Sequence, residues 1–437
     1  MTRLPDPTRR SALLAAAGAG ISVTFLGRQA FAASEGALAK RKLVVVICRG
    51  AMDGLSLSPP IGDPDYAALR GEIAIPGFGQ NDGALKLDET FGLHPRLESV
   101  HALALKGQAR IAPAVATPDR ARSHFEAQDV LESGSSQVYG VSSGWLNRAM
   151  EALAPARKVE ALSVGAQAPL ILRGRIQAAS WSPGGYHERD ARLPGILADL
   201  YAGDPLLSRA LASGMQTQAM AQLATAAAPA PPPVARPVDA MMAPAPPGIM
   251  AGPQPQPPQP QPPQPPGAGA RKTGVTLAKF MTEPHGPQIA AISLDGFDTH
   301  AGQGASKGAL AGRLVDLDAF VDGLSSGLGP EWSNTVVLVA TEFGRTARIN
   351  GTKGTDHGTA STALVLGGRL KRVGIIGDWP TLQQARLFEN RDTAPTLDMR
   401  GLFKGVLAEQ LGVDRRALDT TVFPDSAGVA PVTGLVA

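Results

Sequence analysis

One stretch constrains this chain more than any other: residues 335–358. An unbroken apolar run from Val336 to Ala340 stops at Glu342, Gly344 and Arg345, and a glycine-bearing loop then leads to Asp356-His357-Gly358. A strand without polar alternation is buried on both faces, as in a parallel sheet covered by helices. Polar residues at the carboxyl end of such a strand fall where open α/β sheets bind ligands. Glu342, Asp356 and His357 are potential metal ligands there. The bland alternative for this stretch is a salt-bridged strand end followed by a solvated turn.

The same pattern recurs along the chain. A strand over 43–48 is followed by Arg49-Gly50-Ala51-Met52-Asp53, and one over 110–115 by the segment holding Ser123 and His124. A strand over 288–294 runs into Asp298-Thr299-His300, and further strands are expected over 160–164 and 362–366. Helical spacing is read over 93–107, 145–153, 193–228 and 402–411. It is clearest over 310–324, where Leu314, Leu317, Phe320 and Leu324 share a face. Another helix is expected to begin at Ser123, with Glu126 completing a capping box. Residues 59–91 read as an irregular excursion with a short hairpin. The alternation gives an α/β fold with a mostly parallel central sheet flanked by helices.

The two unusual segments are not globular. Residues 1–32 pair Arg9-Arg10 with a weakly apolar, alanine- and glycine-rich run, then offer Ala30-Phe31-Ala32 for cleavage. That is an export signal of the twin-arginine kind, too short and glycine-rich for a good membrane span. The expected partner is the twin-arginine export machinery and the expected location periplasmic or secreted. Residues 229–270 are proline- and glutamine-rich and almost uncharged, so they read as a disordered insert within one domain made of 33–228 and 271–437. The whole chain carries a formal charge of +3. Residues 1–32 hold four Arg and one Asp, so the rest is neutral (3 − 3 = 0) and shows no basic run that suits nucleic acid. A single cysteine, Cys48, excludes an internal disulfide and reads as a buried strand residue.

If the strands are parallel, Asp53, Ser123, His124, Asp298, His300, Glu342, Asp356 and His357 all emerge along one sheet edge. Carboxylates and imidazoles gathered there suit one or two divalent metal ions. Ser123 is either a helix cap or a nucleophile favoured by a helix amino terminus and a nearby metal. Arg345, together with Arg49, is expected to orient an anionic substrate. Each residue also has a structural reading: Asp53 bonding its own turn, His124 packed in the core, Arg345 paired with Glu342.

The motifs Arg49–Leu55, Leu93–Pro95, Ser123–Gln128, Gly144–Arg148, Gly296–His300, Thr341–Thr346 and Asp356–Gly358 together resemble the DUF1501 family. The resemblance implies an alkaline phosphatase-like architecture, similar to metal-dependent hydrolases of phosphate and sulfate esters. It implies Asp53, Asp298, His300, Glu342, Asp356 and His357 as metal ligands, and Ser123, His124 and Arg345 as catalytic residues. Glu342-Phe343-Gly344 stands where that superfamily has Asp-His-Gly, so Phe343 replaces a histidine ligand. A single metal, or none, therefore stays open. The competing reading is a non-catalytic exported binding or assembly protein that keeps the fold.

Overall fold

Valine and isoleucine, stiff at Cβ, favour an extended chain, and they fill the first strand, β1 (Lys42–Cys48), whose seven residues are all buried. Its side chains divide between two cores. Leu43, Val45 and Ile47 join one apolar cluster, while Val44, Val46 and Cys48 join the other. That division is what a central strand between two helical layers requires. The structure, a computed structural model, describes residues 40–155, 159–165, 168–182, 264–370 and 374–437, with isolated positions at 38 and between 204 and 217. The export signal, most of the helical stretch expected over 193–228 and most of the proline-rich insert lie outside the described residues.

In chain order the other strands are β2 (Leu85–Lys86), β3 (Gly92–Leu93), β4 (Ala109–Ala116), β5 (Ala161–Val164), β6 (Ala179–Trp181), β7 (Ile289–Leu294), β8 (Thr335–Ala340), β9 (Ser361–Leu366) and β10 (Leu397–Asp398). Among the described residues, the helices of eight or more residues are α1 (Glu98–Leu105), α2 (His124–Ser133), α3 (Trp145–Leu153), α4 (Ala268–Thr282), α5 (Ala309–Leu328) and α6 (Met399–Val406). Eight strands form one sheet in the order β10-β4-β9-β8-β1-β7-β5-β6. Strands β2 and β3 make a hairpin whose first strand lies in the 59–91 segment, where a short hairpin was expected, and whose second lies just beyond it. Helices α1, α4 and α5 bury their apolar faces in one core, and α3 and α6 in the other.

The sheet is mostly parallel, as expected. Among the described strands of this sheet only β9 runs against its neighbours, pairing antiparallel with both β4 and β8. Two reversals restore the direction, so β4 points the same way as β8, β1 and β7. Register then levels the strand ends: Ile47 pairs with Ala340, and Cys48 with Leu294. Because β9 returns from the site edge, the 341–360 connection begins and ends on that edge. This brings Asp356 and His357 to the place where Glu342 leaves β8.

Several local expectations are corrected. Helix α2 does begin after Ser123, but the Ser123 side chain makes no cap hydrogen bond. Helix α4 starts at Ala268, inside the segment read as disordered to 270, because its apolar residues pack on α5 and anchor it. The helix expected from 93 begins only at Glu98, after His94 and Pro95 have been spent on a turn. Strand β6 and the two-residue β10 were not anticipated. Both are too short to show periodicity.

Candidate metal centre

His124 opens α2 at the exit of β4. Asp298 and His300 follow β7, and His357 closes the loop after β8. Nitrogen and oxygen atoms of His124, Asp298 and His357 all lie within 4.8 Å of one another. His300 joins them, its Nε2 lying 3.0 Å from Asp298 Oδ1 and 3.0 Å from His357 Nε2. His357 Nε2 is 3.3 Å from the same carboxylate oxygen, and His124 Nε2 is 3.5 Å from Asp298 Oδ2.

In all three imidazoles the opposite nitrogen faces an acceptor. His124 Nδ1 lies 2.9 Å from Glu342 Oε1, and His300 Nδ1 lies 3.3 Å from Asp356 Oδ1. His357 Nδ1 lies 2.9 Å from the Arg122 carbonyl. A carbonyl or ionised carboxylate only accepts, so a neutral ring held this way carries its proton on Nδ1 and presents a bare Nε2. His124 Nε2 is buried and makes no hydrogen bond. Three Nε2 lone pairs and a carboxylate turned on one another repel unless a cation lies among them. Metal-ligating histidines are characteristically backed by a carboxylate or carbonyl in this way. The donor set fits a metal, and imidazole with carboxylate suits zinc and its first-row neighbours better than calcium or magnesium.

The surrounding groups are firmly held. Glu342 is fully buried, and its Oε1 accepts from the Gly50 N–H at 2.8 Å and from Gln128 Nε2 at 3.1 Å. Gly50 has φ +108°, and a Cβ there would meet the Asp298 backbone nitrogen at 2.5 Å, so only glycine lets these two strand exits approach. Burial pushes the Glu342 carboxyl up, but hydrogen bonds from His124 and backbone N–H groups outweigh it and the net shift is downward. The Glu342 hydrogen bond, opposed by burial, raises His124. Burial lowers His357. Asp298 is pushed up by burial and pulled further down by Arg345, whose Nη1 donates to it at 2.6 Å. The Asn350 hydrogen bond at 3.0 Å is the main cause that lowers Asp356.

The structure gathers Asp298, His300, His357 and His124, places Glu342 and Asp356 directly behind two of them, and leaves Asp53 apart. The Asp53 side chain is 1% exposed and ion-paired with Arg70, which is 0% exposed. Asp53 also accepts from Gln303 Nε2 at 2.7 Å, Ser56 Oγ at 2.8 Å and the Leu55 N–H at 3.2 Å. A buried carboxylate needs a countercharge, and here a guanidinium provides it. The two arginines expected to bind an anion are also committed elsewhere. Arg345, 0% exposed in its side chain, holds Asp298 and both the carbonyl and the hydroxyl of Thr355. Arg49 holds Gln128, Glu132 and Ser293. Phe343 cannot ligate. It walls the site, with its ring centroid 5.0 Å from that of His124 and 4.9 Å from that of His357.

Sequence reasoning missed Arg70, which lies in a segment with no strand-exit signal, and Gln303 and Thr355, uncharged residues in strand-exit loops where the charged neighbours drew the assignment. It also missed the Arg122 carbonyl, since a backbone acceptor has no sequence signature. Gln128 and Asn350 stood in noted motifs and loops without an assigned role.

The match to the family described as proteins of unknown function, DUF1501, runs over residues 40–422 and so takes in every strand of the sheet. The chain belongs to the DUF1501 family. No curated protein matches this DUF1501 chain. Among solved structures it is similar to the C-terminal periplasmic domain of EcEptC from Escherichia coli in complex with Zn, at 9% identity over 75% of this chain and 72% of that one, with a TM-score of 0.33. It is also similar to BT1596, a 2-O GAG sulfatase, at 12% identity over 89% and 74% of the two chains, with a TM-score of 0.32. Neither likeness assigns this chain a ligand or a reaction.

Proposed function

We propose that this DUF1501 chain is an exported metal-dependent hydrolase of phosphate or sulfate esters, with one divalent ion held by His124, Asp298, His300 and His357. The observation that carries the reading is the convergence of bare imidazole Nε2 atoms on the Asp298 carboxylate, each ring fixed from behind. An ion in such a set acts as a Lewis acid toward an ester oxygen and eases deprotonation of a nucleophile. The chain's own groups supply the rest. Asp298 and His300 are 42% and 44% exposed, so the centre is open to a substrate. Glu342 and Asp356 keep the rings aimed. Ser123, whose hydroxyl is not used as a helix cap, is the proposed nucleophile, with water as the other attacker. Attack forms a bond from the nucleophile's oxygen to phosphorus or sulfur as its proton passes to solvent, the bond to the leaving oxygen breaks, and the leaving group takes a proton from solvent. Where Ser123 attacks, water then cleaves the seryl ester, releasing phosphate or sulfate and restoring the hydroxyl.

Among the described residues no helix is long and apolar enough to cross a membrane. The export route rests on the arginine pair at positions 9 and 10 and would be tested by replacing both with lysine. Zinc, manganese and iron loading should give one ion per chain. Loaded protein should cleave an aryl phosphate mono- or diester or an aryl sulfate, and Ser123→Ala should abolish this if serine attacks. Failure to bind any of these ions overturns the reading. Binding without turnover of any ester leaves a non-catalytic binding protein on the same fold.

A further inference from the structure

His357 is the one histidine of the centre whose Nδ1 is held by backbone rather than by a carboxylate, and that backbone is itself unusual. Arg122 has φ +58°, a left-handed conformation that residues other than glycine seldom adopt. Something must hold it there, because its carbonyl meets His357 Nδ1 at 2.9 Å only while the chain keeps this turn. The Arg122 side chain shows what does. Its Nε and Nη2 reach Asp392 Oδ2 at 3.1 and 2.9 Å, and Nη2 also meets Glu389 at 2.5 Å and the Thr359 hydroxyl at 3.3 Å.

Asp392 is fully buried, and the Thr359 hydroxyl donates to its Oδ2 at 2.9 Å. Its other oxygen is buried without a hydrogen-bond partner. That oxygen lies 3.7 Å from Arg391 Nη1, so the carboxylate faces two guanidiniums, of which it hydrogen-bonds the one of Arg122. The turn carrying Asp392 is tied to the loop after β8 through a bridge to Thr346, and the neighbouring Arg391 donates to the His357 carbonyl at 2.6 Å. His357 is thus held at its ring from one side and at its backbone from the other, both through the 388–392 turn.

We propose that the pair formed by the buried Asp392 and Arg122 is a positioning device that fixes the Nδ1–H tautomer of His357 and so aims its Nε2 lone pair at Asp298 and His300. Neither residue touches the centre with its side chain. They act through one carbonyl. The part of this proposal that concerns metal affinity rests on the metal-centre reading, while the part that concerns the tautomer does not.

The test uses Asp392→Asn, Arg122→Ala and Arg122→Lys in the full chain. Long-range proton–nitrogen NMR spectra of the metal-free protein, taken about two pH units above the ordinary imidazole pKa of ~6.5, report which nitrogen of His357 bears the proton. Wild type and Arg122→Lys should show the Nδ1–H form, and Arg122→Ala and Asp392→Asn a shift toward Nε2–H, with His124 unchanged. Zinc affinity, measured by competition with a chelator, should fall roughly 10- to 100-fold in those two variants, the range for lost outer-shell partners, and recover in Arg122→Lys. Arg122 lies partly at the surface, so Arg122→Ala keeps the test open should Asp392→Asn fail to fold. An unchanged His357 tautomer in a folded Arg122→Ala overturns the proposal. If the tautomer shifts but no variant, nor the wild type, binds metal, the positioning device stands and the metal reading falls.

Discussion

Replacing Arg70 by methionine separates Asp53 the metal ligand from Asp53 the structural anion. The two side chains are 0% and 1% exposed, and Arg70 also donates to the Thr346 carbonyl at 3.2 Å and to Ser56 Oγ at 3.0 Å. Removing one member of a buried ion pair leaves the other uncompensated, which costs about 3–5 kcal/mol. Arg70→Met should therefore destabilise the metal-free protein by roughly that amount, and Asp53→Asn by a similar one. The double variant removes both charges, so its loss should fall short of the sum by on the order of 2–3 kcal/mol, as expected for coupled neighbours. Urea denaturation of the four proteins yields the cycle. Chelator competition on the same samples should show Asp53→Asn changing metal affinity less than Glu342→Gln does. An Asp53→Asn protein that keeps its stability and loses its metal would refute this reasoning and restore Asp53 as a ligand.

Other outcomes follow from single observations. Glu342→Gln removes the charge behind His124 and should weaken metal binding roughly 10- to 100-fold, read by the same competition. His94 is buried, with its pKa lowered to about 4 chiefly by desolvation. Its unfolded form takes up a proton first, so the stability it confers is whole above ~6.5 and is lost as pH falls toward the folded value, on the order of 3 kcal/mol in all. His94→Asn should flatten that part of the stability-against-pH curve, and an unchanged slope would argue against it. A Cβ at Gly344 would stand 1.8 Å from the Ala360 carbonyl oxygen, so Gly344→Ala should cost at least ~1–3 kcal/mol and lower the thermal midpoint.

The sheet was legible because buried central strands leave unbroken apolar runs. Val336–Ala340 and Leu43–Cys48 could hardly be anything else, and the polar residues after them mark one edge whatever the sheet order. The direction of β9 was not legible, since Ser361–Leu366 is buried on both faces and reads the same in either direction. The roles within the site were only half legible. A strand-exit carboxylate announces that positive charge is near and does not say which kind. Arg70 reached Asp53 from a short helix in the segment read as irregular, where no periodicity pointed to it. Glu342 and His124 were both picked out, but which of them faces inward depends on how rings and carboxylates rotate, and spacing does not encode that.

The charges of the centre explain why two similar carboxylates met different fates. Asp53 faces one guanidinium and is balanced by it. At the centre, Asp298, Glu342 and Asp356 are all held below the usual carboxylate value, so each is ionised near neutrality. Arg345 answers one of these three charges, leaving −3 + 1 = −2 around three imidazoles. Protons on the rings could cancel that deficit, and the upward shift of His124 is the start of such a response. The downward shift of His357 works against it. A divalent cation at the proposed centre would remove the deficit in one step and would use the bare Nε2 atoms as ligands, which protonation would waste. The two sites are joined by a chain of donors in which Arg345 Nε donates to Thr355 Oγ1, Thr355 to Gln303 Oε1, and Gln303 Nε2 to Asp53. That chain fixes where Arg345 lies, and so how Asp298 is presented on the side of the centre where Asp298 and His300 are exposed.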